Sequence, residues 1–107
     1  MNGYQVTFFT QQDRRNHGLS LAEWLLKTAK DLGIAGGTAI AAAEGLGHDH
    51  RLHSAHFFEL ADQPVEITFV LSEAQTDQLF DLLEKEDIRL FYTKVAVQYG
   101  TLGIGRH

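Results

Sequence analysis

Two stretches of the chain alternate apolar and polar residues with the period of a half-buried strand. Tyr4, Val6 and Phe8 alternate with polar neighbours near the start, and the segment 65–71 repeats the pattern. Successive side chains of a strand point to opposite faces, so one face of each segment is expected to be buried. Both segments therefore predict strands, and the apolar segment 88–99 predicts a last one.

Two other segments carry apolar residues at helical spacing, each preceded by a capping pair of a serine and an acid or amide three residues later. The pairs are Ser20 with Glu23 and Ser72 with Gln75. The apolar stripes consist of Leu21, Leu25, Ala29 and Leu32 in the first segment, and of Leu79, Leu82 and Leu83 in the second. Trp24 lies off the first stripe, and we expect it to pack beneath a neighbouring loop rather than form an exposed contact.

The middle of the chain is harder to interpret because its apolar residues are small. Thr38 to Ala43 reads TAIAAA, and alanine favours helix, but the short length and the flanking glycines favour a strand. The segment 45–54 is polar and rich in glycine and histidine, which predicts a loop. Two apolar segments, 56–60 and 65–71, then follow on either side of a turn at 62–64.

The predicted order is β-α-β-β-α-β, which indicates an α+β ferredoxin-like sandwich with an antiparallel sheet, in one domain over residues 1–107. Both helices would cover the same face of the sheet. The opposite face would carry Phe9 and Val70, and an apolar patch of that kind usually marks an interface. We therefore expect the chain to assemble through its bare sheet face.

Composition excludes several classes of function. The formal net charge is -5 and the basic residues are scattered, which argues against a nucleic-acid partner. Cysteine is absent, so disulfides and thiolate chemistry are excluded. The start has no basic region followed by an apolar one, so we expect a soluble, cytoplasmic protein. Established catalytic motifs do not occur, and we expect no enzyme.

The segment 33–47, GIAGGTAIAAAEGLG, resembles the segment of PII signalling proteins that leaves the first helix and enters a long loop, the T-loop. Arg51 to Ala55 reads RLHSA and is followed by Pro64-Val65, a pattern typical of the PII-like branch called domain of unknown function 190. The similarity covers nearly the whole chain. It is specific for the branch and does not name a ligand.

The resemblance implies a PII-like homotrimer with ligand clefts between subunits, in which a small anionic effector such as an adenine nucleotide binds. The segment at about 45–61 would be the T-loop, which would signal to a partner such as a membrane transporter or channel. Thr38 would contact the base, and Gly45 and Gly47 would let the backbone approach a phosphate. The loop residues His48, Arg51 and His53 complete the candidate ligand-binding set.

The chain departs from PII proteins between the second helix and the last strand. PII proteins carry a G-x-x-G-x-G-K segment there that holds phosphates, whereas this chain reads EKEDI over residues 84–88. An acidic turn repels phosphate. Arg89, Lys94 and the segment 103–106 are the candidates to take over that role.

Four histidines in the loop suggest a second kind of site. His48, His50, His53 and His56 lie within nine residues together with Asp49, and imidazole with carboxylate suits Zn, Ni or Cu(II). The alternative function is therefore a divalent-metal-binding trimer that serves metal homeostasis. A solvated polar loop would also accommodate these histidines, and His53 would then make a local hydrogen bond.

Overall fold

The computed structural model describes residues 1–34, 37–41, 44–46, 52–54 and 64–103. Eight strands and two helices occur in these ranges. In chain order they are β1 (Asn2–Gln11), β2 (Arg15–Asn16), β3 (Leu19–Ser20), α1 (Leu21–Asp31), β4 (Gly37–Ala41), β5 (Glu44–Leu46), β6 (Leu52–Ser54), β7 (Pro64–Ser72), α2 (Glu73–Lys85) and β8 (Phe91–Gln98).

The four long strands form one antiparallel sheet in the order β4-β7-β1-β8. β7 pairs antiparallel with both β1 and β4, so β1 and β4 run parallel to each other with β7 between them. β8 pairs antiparallel with the other edge of β1. This is the ferredoxin-like arrangement that the element order predicted.

Alternate residues of β1 and β7 form the core on the face that the helices cover. Val6 and Phe8 of β1 are buried there, and Phe69 of β7 meets the Phe8 ring edge-on with 6.1 Å between centroids. Leu25 of α1 and Leu79 of α2 are fully buried against this face. Burial of these apolar surfaces is the main stabilising contribution to the fold.

Both helices begin at the serines that the capping pairs predicted. Ser20 Oγ accepts a hydrogen bond from the Glu23 amide at 3.1 Å, and Ser72 Oγ accepts one from the Gln75 amide at 3.1 Å. Gln75 Oε1 in turn accepts from the Ser72 amide at 3.0 Å, so the second helix has a complete capping box. Neither helix of the described ranges is long and apolar enough to cross a membrane.

The polar connection after β1 contains a short hairpin. Arg15 pairs with Ser20 and Asn16 with Leu19, and the two residues between them, His17 and Gly18, have φ angles of 51° and 80°. Two successive positive φ angles are typical of a tight turn whose twist matches that of the strands. The prediction missed this hairpin.

The prediction of a loop over residues 45–54 is also partly wrong. Residues 44–46 and 52–54 form the antiparallel strands β5 and β6, because backbone pairing between them supplies hydrogen bonds that a solvated loop would take from water. The last strand begins at Phe91 rather than at 88, since Asp87 has a φ of 55° and turns the chain at the end of α2. The apolar segment predicted at 56–60 lies outside the described residues.

Candidate functional site

Three connections leave the sheet at the same end. Gln11 at the end of β1 is paired with Pro64 at the start of β7, and Ala41 at the end of β4 is paired with Val65. Phe91 at the start of β8 is paired with Phe9, close to the same end. We call this end of the sheet the loop end, because it adjoins the β2–β3 hairpin, the segment 42–63 and the turn 86–90.

Three of the predicted ligand-binding residues lie in described strands. Thr38 is part of β4 and is paired with Thr68 of β7. Gly45 of β5 is paired with His53 of β6, so the short ribbon brings these two predicted residues side by side. Gly47, His48 and Arg51 lie outside the described residues, and their roles stay predictions.

The predicted metal ligands are largely outside the described part of the chain. Of His48, His50, His53 and His56, only His53 belongs to a described strand. Within the ranges that the structure describes, no three histidines or acids are grouped so that they could hold a metal ion. The metal site therefore stays a prediction.

The face of the sheet opposite the helices carries a row of threonines. Thr68, Thr7 and Thr93 occupy successive pairing positions across β7, β1 and β8. The hydroxyl oxygens of Thr7 and Thr68 lie 3.0 Å apart and share a hydrogen bond. Cross-strand hydroxyl pairs of this kind stabilise a sheet.

Apolar side chains lie on both sides of the threonine row. Phe9 and Phe91 contact each other at 5.5 Å between ring centroids, and Phe91 is 70% exposed. On the other side, Val95 is 56% exposed and Val70 is also exposed. We call these four residues with the threonine row the assembly face, which is the bare, apolar face that the sequence predicted.

The acidic turn after α2 is bridged to the β2–β3 hairpin. Nε2 of His17 lies 2.7 Å from Oε1 of Glu86, and Nδ2 of Asn16 donates to the same oxygen at 3.4 Å. The hydrogen bond from His17, followed by that from Asn16, lowers the pKa of Glu86 below its ordinary value. Sequence reasoning missed this contact, because the two residues are 69 positions apart and no local pattern relates them.

The candidates for replacing the phosphate-binding lysine of PII proteins lie in different places. Arg89 is exposed in the turn 86–90 and so lies beside the loop end. Lys94 is paired with Val6 in the middle of β8, and its Nζ lies over the Tyr4 ring, 4.6 Å from the centroid. This places Lys94 on the helix side of the sheet, away from the loop end, whereas Arg106 lies outside the described residues.

A shallow cleft of about 290 Å³ lies at the opposite end of the sheet. Its walls come from the start of β1, the end of β8 and the first residue of α2. The lining residues are Asn2, Gly3, Tyr4, Glu73, Ala96, Val97 and Gln98. No predicted site residue lines this cleft.

Solved structures with the same fold come from PII-like proteins. CPII from Thiomonas intermedia K12, a nitrogen regulatory PII-like protein bound to ADP, AMP and bicarbonate, has a TM-score of 0.69 at 14% identity, over 94% of this chain and 91% of CPII. A protein of Thermus thermophilus, provisionally described as a PII-like signalling protein, has a TM-score of 0.67 at 18% identity, over 91% of this chain and 88% of that one. Comparison with curated proteins gives no match.

The fold that these strands and helices define is therefore that of the PII-like signalling proteins. The family follows from the sequence itself, since the profile of DUF190, described as Uncharacterized ACR, matches residues 3–104. The chain belongs to the DUF190 family. Both results confirm the resemblance that the segment 33–47 indicated.

Proposed function

We propose that the protein is a PII-like sensor that binds a small anionic effector, with an adenine nucleotide as the first candidate, and signals to a partner. The observation that carries this proposal is the shared fold with CPII, whose structure contains ADP, AMP and bicarbonate. Family membership supports it because the match spans residues 3–104 and includes the segment 33–47. Ligand binding, rather than turnover of a substrate, is the proposed activity.

The proposed sensor is a homotrimer held together by the assembly face. Phe91 and Val95 expose large apolar areas there, and contact with a second copy would remove those areas from water. β8 is an edge strand of the sheet, so its outer backbone groups also have no partner strand within the described part of the chain. Neighbouring copies would supply the second wall of each ligand cleft.

The proposed ligand site is built from Thr38 and the T-loop-like segment at about 45–61. Thr38 would contact the base, and Gly45 and Gly47 would let backbone amides approach a phosphate closely. His48, Arg51 and His53 would supply polar contacts from the same segment. A ligand that binds one arrangement of this segment more tightly than another shifts its population, which a membrane transporter or channel could read.

A thermal-shift panel on metal-stripped protein tests the proposal. ATP, ADP and AMP are added with and without bicarbonate, and cyclic mono- and dinucleotides are added separately. A ligand at about 100 times its dissociation constant adds roughly 2.7 kcal/mol of stability, which gives a clear rise in melting temperature. The proposal expects a rise with one adenine nucleotide and a smaller one with its relatives. The absence of any shift across the panel would contradict it.

Gly47→Val tests the assignment of the site. A β-branched side chain at this position is expected to block the approach of a phosphate, so nucleotide affinity should fall at least tenfold. Gly100→Val serves as a matched control because nothing lies within 4 Å of a Cβ built at Gly100. Isothermal titration calorimetry gives both affinities, and equal affinity in Gly47→Val and the parent would refute the assignment.

A second candidate function rests on the spacing of the loop histidines. His48, His50, His53 and His56, with Asp49 among them, could take up Zn, Ni or Cu(II) in a trimer that serves metal homeostasis. Metal uptake should then fall below about pH 6, where imidazole becomes protonated. If the double variant His48→Ala/His50→Ala binds metal as well as the parent, this candidate is eliminated.

A further inference from the structure

A single histidine joins the β2–β3 hairpin to the end of α2. The contact of His17 with Glu86, whose nitrogen and oxygen atoms are 2.7 Å apart, is the only close approach of a basic nitrogen to a carboxylate oxygen among the residues that the structure describes. The two residues are 69 positions apart in sequence. Asn16 donates to the same carboxylate oxygen, so two neighbouring hairpin residues hold one acid of the turn.

Both turns that meet at this contact have an unfavourable backbone conformation. His17 and Asp87, with φ angles of 51° and 55°, are the only residues other than glycine with positive φ in the described ranges. Residues with a Cβ adopt this region less readily than glycine, although His and Asp adopt it more often than most, so contacts from the surrounding structure help to hold them there. His17 makes the contact itself and Asp87 follows Glu86 directly, so the contact joins two turns that need support.

The third part of the arrangement is the indole ring of Trp24 on α1. The rings of His17 and Trp24 are stacked, with centroids 6.2 Å apart and planes inclined by 28°. Trp24 is buried, whereas the His17 side chain is 63% exposed and can exchange protons with water. An indole face and a carboxylate both attract an imidazolium, so the ring has two neighbours that can hold it when it is charged.

We propose that His17, Glu86 and Trp24 form a proton-operated clasp, which holds the hairpin to the end of α2 when His17 is protonated and weakens when the imidazole loses its proton. The attraction is largest where Glu86 is ionised and the imidazole still carries its proton. It falls as pH rises through the range in which imidazoles titrate, between about 5 and 8. Hydrogen bonds from His17 and Asn16 lower the pKa of Glu86, so this carboxylate stays ionised to lower pH. The clasp therefore stays closed further into the acidic range.

Other charged groups surround the clasp on each element that meets His17. Glu23 on the first turn of α1 accepts a hydrogen bond from Ser20 at 3.1 Å, so its carboxylate already has a partner. The remaining groups are Asp13, Arg14 and Arg15 beside the hairpin, Lys27 on α1, and Glu84, Lys85, Asp87 and Arg89 around Glu86. Among the described residues, only Glu86 forms an ion pair with the imidazole.

The state of the clasp changes the charge at the loop end. When it is closed, the imidazolium offsets the charge of Glu86, which lies close in sequence to two other acids, Glu84 at the end of α2 and Asp87 in the turn. When it is open, that carboxylate is uncompensated and repels anions more strongly. The clasp would therefore make the loop end more receptive to an anion at lower pH. This inference does not depend on the proposed nucleotide site.

Trp24 makes the clasp directly measurable, because it is the only tryptophan in the chain. A protonated imidazole in contact with indole quenches its fluorescence, whereas the neutral ring quenches it less. Emission of the full chain is recorded from about pH 5 to pH 8.5 at constant ionic strength. We expect the parent to brighten with rising pH along one titration curve.

Three variants distinguish the clasp from general effects of pH. His17→Gln should remove the transition, and Glu86→Gln should move its midpoint to lower pH, because the imidazolium then lacks its anionic partner. Glu84→Gln removes the same charge two residues away, at the end of α2, where no side-chain bond to His17 is made, so it should shift the midpoint much less. A transition that persists in His17→Gln, or equal shifts in Glu86→Gln and Glu84→Gln, would overturn the proposal.

Amide hydrogen exchange in the parent chain gives a second readout, which does not depend on whether any variant folds. The amides of Asn16 and Leu19, which belong to the paired hairpin strands, are followed at about pH 5.5 and pH 8 after correction for intrinsic rates. The clasp predicts that protection falls several-fold at the higher pH. Unchanged protection would show that loss of the proton does not release the hairpin.

Discussion

At the scale of single residues, Gly3 shows how closely the strands approach. A Cβ built at Gly3 would collide with the Leu71 carbonyl oxygen and lie 2.8 Å from Cε1 of Tyr99. The Leu71 oxygen cannot give way easily, since it belongs to the backbone of the adjacent strand, whereas the Tyr99 ring is a side chain that can shift. Glycine is therefore required at position 3 because a side chain has no room there, and not because of its backbone conformation.

Gly3→Ala is expected to destabilise the protein by about 1–3 kcal/mol, the range for overpacking a tightly packed site. Gly100→Ala is the control, because nothing lies within 4 Å of its Cβ position, and it should change stability by less than about 0.5 kcal/mol. Urea denaturation at one protein concentration measures both. Equal urea midpoints for Gly3→Ala and the parent would show that the strands can move apart to fit a methyl group without loss of stability.

At the scale of elements, the capping box determines where α2 begins. Ser72 and Gln75 satisfy each other's backbone amides, and Thr76 Oγ1 donates to the Ser72 carbonyl oxygen at 2.8 Å. These bonds satisfy groups that the first turn of a helix leaves without partners. The same serine ends β7, so the cap also fixes the passage from sheet to helix.

Ser72→Ala should lower the free energy of unfolding by about 1 kcal/mol, because the Gln75 amide loses its acceptor. Ser72→Thr keeps a hydroxyl that can cap the helix, and it should remain close to the parent. Thermal unfolding followed by circular dichroism in the far ultraviolet compares the three proteins. If the threonine variant loses as much stability as the alanine variant, packing at this site rather than the cap is responsible.

The sequence predicts long elements and misses short ones for a physical reason. Two strands and both helices show periodicity over enough residues, and Trp24 is buried as expected. The strands at 37–41 and 91–98 were predicted from their length and their apolar residues rather than from alternation. β2 and β3 have two residues each, which is too short for an alternating pattern, so only the turn at His17-Gly18 could have indicated the hairpin. The contact of His17 with Glu86 joins distant segments, and no local pattern contains that information.

At the scale of the whole molecule, the sheet has one covered and one uncovered face. The sequence predicted the uncovered face from Phe9 and Val70, and the strand register adds the threonine row, which depends on pairing between distant strands. Of the candidate ligand site, the structure places Thr38, Gly45 and His53 in strands. The ligand itself cannot be predicted from one chain, because the proposed clefts lie between chains.

Val95→Lys tests whether the assembly face holds the proposed trimer together. Val95 is 56% exposed in the single chain, and a lysine there would have to bury its charge at the interface. Size-exclusion chromatography with light scattering should therefore detect a single chain for the variant at micromolar concentration. Gln78→Lys adds the same charge at an exposed position of α2, and it should elute with the parent. Identical masses for both variants would show that the assembly face does not hold the subunits together.

Native mass spectrometry of the full chain with ADP and AMP tests the central claim most directly, because one spectrum reports both assembly and ligand. The proposed sensor predicts a species of three times the 12.0 kDa chain mass that carries one to three nucleotides. The number bound should rise with nucleotide concentration and level off at one per subunit interface. A single chain of 12.0 kDa without bound nucleotide, at concentrations where the fold is intact, would contradict the account.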